Sequence, residues 1–148
     1  MIGGAAAILH GSAHLTQAVD FCCRRDALTF GRLSEALNTV HPRFRVAGIP
    51  AGEAVTLDAR TFRSGTAFSF ITDIGNIDVR FAVDGIGGYD EVLLLSENAA
   101  FGNRSIRLLS LSGIIQSKRS MGRTQDRLIL PELEMMEEAS KRHETGRQ

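Results

Sequence analysis

Three stretches of this 148-residue chain carry residue types and spacings suited to chemistry. The first joins the pair Gly3-Gly4 to Thr16-Gln17-Ala18-Val19-Asp20-Phe21. Over an extended 17–23, side chains alternate, so Ala18, Asp20 and Cys22 share one face and Val19, Phe21 and Cys23 the other. The second is 76–82, where Ile77, Val79 and Phe81 take one face and leave Asp78 and Arg80 on the other, so that Asp78 mirrors Asp20. The third holds Lys118, a compact charge suited to phosphate, with Arg123 and Asp126 three residues apart and able to pair on a helix. A helix starting beside the glycines would turn its amides toward an anion. The expected chemistry is anion binding next to carboxylates.

Each signal also has an ordinary origin. Gly3-Gly4 is equally a tight turn before a buried helix, an apolar/polar alternation is commonly a solvated strand face, and Lys and Arg on a helix commonly face water. His10 reads as a helix-terminal packing or capping residue. Asp84 and Asp90 fall in a glycine-rich stretch without strand geometry and are not expected in the site.

The elements that must position these residues follow from periodicity and punctuation. Ala5–His10 is helix-forming and ends at Gly11. Residues 26–40 form an amphipathic helix with Leu28, Leu33, Ala36, Leu37 and Val40 as its stripe, closed by Pro42. Residues 43–66 are expected as a loop with one short edge strand. Strands over 67–72 and 76–82 flank the turn Asp73-Ile74-Gly75-Asn76, Gly87-Gly88-Tyr89 opens a short helix through Leu95, and a second hairpin turns at Gly102-Asn103. Val19, Phe21, Leu33, Leu37, Ile77, Val79 and Phe81 are expected in one core. Apolar helix follows from Leu111, and Pro131 either kinks the last helix or starts a new one. The fold class is α/β (α+β), a small mixed sheet with helices packed mainly on one face. One domain is expected over 1–139, with a fraying polar tail over 140–148.

An apolar residue, a glycine pair, thirteen intervening residues and then Ala18-Val19-Asp20 resembles the signature of the nucleotidyltransferase superfamily. The family carries Asp-x-Asp/Glu there, so Ala18 makes this motif degenerate. Gly75-Asn76-Ile77-Asp78-Val79 is similar to the stretch that supplies the family's third metal-binding carboxylate. Residues 111–126 resemble the segment of nucleotidyltransferase-like proteins, including abortive-infection type IV toxins, that runs apolar helix, Lys, small residues, Arg, Asp. The resemblance spans roughly residues 2–134. It implies Asp20 and Asp78 as catalytic and metal-holding residues for Mg2+, and Gly3, Gly4, Thr16, Lys118 and Arg123 as nucleotide-binding. Asp126 would fix the next helix. It further implies transfer of a nucleoside monophosphate from a nucleoside triphosphate, impaired because Ala18 supplies no oxygen. The alternative is a non-catalytic nucleotide- or partner-binding descendant. Relatives of this kind place a helix and a short strand before the glycines; here either the protein starts late or another subunit, a protein partner or a second copy in a homo-oligomer, covers that surface.

Composition narrows the partners. With 17 basic and 17 acidic residues the net charge is zero, so any nucleic-acid role, such as transfer to an RNA end, needs a local basic channel. Cys22 and Cys23 are adjacent and have no partner elsewhere, which excludes a disulfide framework or zinc site and suits a reducing compartment. No positive n-region precedes the small apolar opening residues, and no apolar run approaches the roughly 18 residues of a membrane span. A cytoplasmic protein is expected.

Overall fold

The computed structural model describes residues 1–145. In chain order it runs α1 (Gly3–Leu9), β1 (Ala18–Cys22), α2 (Ala27–Asn38), β2 (Arg43–Phe44), α3 (Ala59–Arg63), β3 (Ala67–Thr72) and β4 (Gly75–Arg80). Then follow β5 (Ala82–Val83), β6 (Gly87–Gly88), α4 (Tyr89–Leu94), β7 (Ser96–Phe101), β8 (Arg104–Leu109), α5 (Leu111–Met121) and α6 (Thr124–Thr145). The fold is the expected α+β class around a small mixed sheet.

The two strands of alternating sequence form the centre of that sheet. β3 and β4 pair antiparallel across a turn at Asp73-Ile74, tighter than expected because Gly75 and Asn76 already pair in β4; β2 adds to β3, and β1 lies parallel to β4, giving the order β1-β4-β3-β2. Because register partners share a face, Phe68, Phe70, Ile77, Val79 and Phe81 gather on one side. α2 covers them with Phe30 and Leu37, and α3 with Phe62. Phe62 is 0% exposed, and its ring centroid lies 5.2–6.4 Å from those of Phe30, Phe68, Phe70 and Phe81. Burial of such a ring and its edge-on contacts are the main gain from this layer.

This core differs from the expected one in two ways. Val19 and Phe21 are only half-buried and lie outside it, because β1 is the sheet's edge strand. α3 falls inside the stretch expected to be loop. It forms because Asp58 caps it, accepting from the Thr61 N–H at 3.0 Å, and because Phe62 then enters the core.

A second apolar cluster is built from Ile2, Ala6 and Ala7 around α1, Val92 of α4, Leu108 and Leu109 of β8, Ile114 and Ile115 of α5, and Ile129 and Leu133 of α6. It joins the sheet through the Ile2 N–H, which donates to the Asp20 carbonyl at 2.9 Å. α5 ends where Gly122 turns left-handed at φ 60°, and α6 begins at Thr124. α6 passes through Pro131 rather than starting there, and continues beyond Ser140 to Thr145. Residues 140–145 of the expected tail are helical, with Glu137–Lys141 and Glu138–Arg142 pairs at 3.1 and 3.9 Å along that last stretch. Residues 146–148 of the expected tail lie outside the described residues. No helix among the described residues is long and apolar enough to cross a membrane.

Candidate functional site

The parallel pairing of β1 with β4 decides the geometry of the two carboxylates. Asp20 and Asp78 are register partners, side by side on the face opposite Val79 and Phe81. Adjacent strands lie about 4.8 Å apart, so the two carboxylates feel each other directly. Burial, and then the charge of Asp78, push Asp20 above the ordinary carboxylate value.

β1 leads back to the glycine pair through the Ile2–Asp20 bridge. Gly3 sits at φ +66°, and a Cβ there would meet Asp20 Oδ2 at 2.8 Å; a Cβ on Gly4 would meet Thr16 Oγ1 at the same distance. The pair thus lets the Asp20 carboxylate and the Thr16 hydroxyl close over the start of α1. Thr16 itself donates to the Ala18 carbonyl at 3.1 Å.

α5 packs against α1 and brings Lys118 to the same place. A cavity of about 270 Å³ is lined by Gly3, Gly4, Asp20, Lys118 and Arg123 together with Arg80, Asp84 and an apolar wall that includes Val83, Leu109, Ile114 and Met121. Five of the seven residues expected in the site therefore meet here, from positions more than a hundred residues apart. Asp78 stands beside Asp20 without lining the cavity, and Thr16 lies outside it over Gly4.

Several of the charges in and behind this cavity are paired. Asp126, 1% exposed, accepts from Lys118 Nζ and from Arg123 Nε at 2.8 Å each. Burial alone would raise its pKa, but the hydrogen bonds from Arg123 and Lys118 outweigh that and hold it below the ordinary value. Asp126 thus ties α6 to the Lys118 end of α5. Arg80 Nε lies 3.9 Å from Asp20 Oδ1, and Arg45 Nη2 donates to Asp78 Oδ1 at 2.6 Å.

Arg45, Arg80 and Asp84 are the residues that reading the sequence did not bring to the site. Arg80 carried a usable signal, since it shares the strand parity of Asp78. Arg45 carried none, because its place depends on the β2–β3 register: its N–H donates to the Ser69 carbonyl, and Ser69 is the partner of Asp78. Asp84 follows the strand and reaches the cavity only through the turn between β5 and β6.

The residues present do not complete a two-metal phosphoryl-transfer site. Such a site needs carboxylates on both ions, and Ala18, on the same face as Asp20, adds no oxygen. Among the described residues no group of three or more His, Cys, Asp or Glu side chains is arranged to hold a metal ion. Thiol chemistry is equally remote: burial pushes Cys22 up to about 11 and raises Cys23 as well. Comparison with protein-family models, with curated proteins and with solved structures found no match.

Proposed function

We propose that this is a nucleotidyltransferase-like protein that binds a nucleoside triphosphate, and in which magnesium-dependent transfer of a nucleoside monophosphate is weak or absent. The observation that carries this reading is the convergence of Gly3, Gly4, Asp20, Lys118 and Arg123 on one cavity, with Asp78 at Asp20's side. Ligand sites combine an apolar wall with a few convergent polar groups, and here Val83, Leu109 and Ile114 provide the wall for a sugar or base. Lys118 and Arg123 supply cationic donors for phosphate oxygens, Arg123 the more exposed of the two. At about 270 Å³ the cavity suits the phosphates and sugar better than a whole enclosed nucleotide. A cytoplasmic location fits this reading, since a reducing compartment keeps the free thiols of Cys22 and Cys23 reduced.

Position 18 gives the test of the catalytic half. In Ala18→Asp a carboxylate returns two residues from Asp20 on the same strand face. The natural protein, incubated with radiolabelled nucleoside triphosphates and Mg2+, is expected to transfer little or no label. Ala18→Asp is expected to bind the triphosphate more tightly when Mg2+ is present, since metals position and neutralise the phosphates. Vigorous label transfer by the natural protein would overturn the reading of Ala18.

A further inference from the structure

Across the sheet's polar face, Asp20, Asp78, Ser69 and Arg45 form one row on four successive strands or their ends. Arg45 reaches over Ser69 to Asp78, and its Nη2 to Oδ1 distance of 2.6 Å is that of a charge-assisted hydrogen bond. The pair is largely shielded, with the Asp78 side chain 13% and the Arg45 side chain 31% exposed. Asp20 has its own cation, because Arg80 is its diagonal neighbour on β4 and approaches to 3.9 Å. Two carboxylates therefore face two guanidinium groups, and these four side chains sum to zero charge without any ion added.

A divalent cation is drawn to carboxylates whose charge is uncompensated, and here it would have to displace or sit beside two arginines. Fixed cations at the same carboxylates also do electrostatically what metal ions do beside a phosphate chain: they lower the local negative charge. We propose that Arg45 and Arg80 stand in the places of divalent cations at Asp78 and Asp20, so that this site takes the phosphate chain of a nucleotide without magnesium. The proposal deepens the nucleotide-binding reading and rests on it for its ligand. Arg80, which lines the cavity, would join Lys118 and Arg123 on the phosphates, while Arg45 keeps Asp78 neutralised behind Asp20.

Manganese titration followed by electron paramagnetic resonance, and calorimetry with inorganic triphosphate, test this on the full chain. The wild-type protein is expected to bind no Mn2+ at the row, and to bind triphosphate at least as well in a chelator as with Mg2+. Arg45→Gln combined with Arg80→Gln is expected to gain Mn2+ affinity by about tenfold or more and to lose triphosphate affinity by a similar factor. Arg45→Lys keeps the charge and is expected to exclude Mn2+ as the wild type does, which separates charge from packing. Tight Mn2+ binding by the wild type, or triphosphate binding that requires Mg2+, would overturn the proposal, as would a folded double variant that gains no Mn2+. If the Mn2+ results follow expectation but none of the proteins binds triphosphate in either medium, the arginine assignment stands and the nucleotide reading fails.

Discussion

Replacing Asp126 by Ala is expected to lower the unfolding free energy by about 3–5 kcal/mol, the cost of removing one partner from a buried ion pair. The carboxylate is buried, and its loss leaves Lys118 Nζ, on a side chain only 14% exposed, without its acceptor. Arg123 is mostly exposed and loses less, since water replaces the carboxylate. The pH dependence has a defined sign. The folded-state pKa of Asp126 lies below its unfolded value, so its contribution is complete above the ordinary carboxylate pKa. That contribution disappears as pH falls through the folded value. Denaturant titrations of both proteins at descending pH should show the difference between them narrowing in the acid range. A difference under about 1 kcal/mol at neutral pH would mean that the Lys118–Asp126–Arg123 contact does not anchor α6.

Phe81→Ala is expected to cost a similar amount, about 3–5 kcal/mol, by leaving a cavity in the aromatic layer. Phe81 is buried, its ring packs edge-on to Phe30 at 5.3 Å, and Phe62 and Phe68 each lie 6.4 Å away. Arg25 also lies over its outer face at 5.3 Å. Urea unfolding monitored by circular dichroism measures the loss. Because strand side chains alternate, a one-residue register slip would move Phe81 to the polar face, and the substitution would then cost about 1 kcal/mol or less.

The readable parts of this chain were those where a local pattern sufficed. Alternation over 67–82 with Asp73-Ile74 between its halves specifies β3 and β4, and parity alone places Asp20 and Asp78 on equivalent faces. The spacing of Arg123 and Asp126 specifies their pairing within one turn, which the structure contains at 2.8 Å. What escaped depends on distant partners. α3 has one buried apolar side chain, Phe62, in five residues, too few for a helical period to register. Val19 and Phe21 carry the same alternation as Ile77 and Val79, but sequence does not reveal that β1 forms an edge. Arg45 reaches Asp78 only through the register of β2 on β3. At the other end, the polar run after Ser140 reads as a tail, although Glu137 and Glu138 stand four residues before Lys141 and Arg142, the spacing of ion pairs on a helix.

The glycine pair shows how one sequence feature serves two ends. Gly3 and Gly4 are required here by the close approach of Asp20 and Thr16, which is a packing reason. That same approach sets the Asp20 carboxylate in the wall of the cavity that Lys118 and Arg123 also line, which is what a phosphate-bearing ligand would meet.

The most direct test of nucleotide binding at this cavity is an amide NMR titration of the full chain with a non-hydrolysable nucleoside triphosphate in the absence of divalent metal. Saturable shifts are expected at Gly3, Gly4, Ser117, Lys118 and Arg123, with the β7–β8 hairpin unmoved. No shifts at any concentration, or shifts confined to residues away from the cavity, would contradict it.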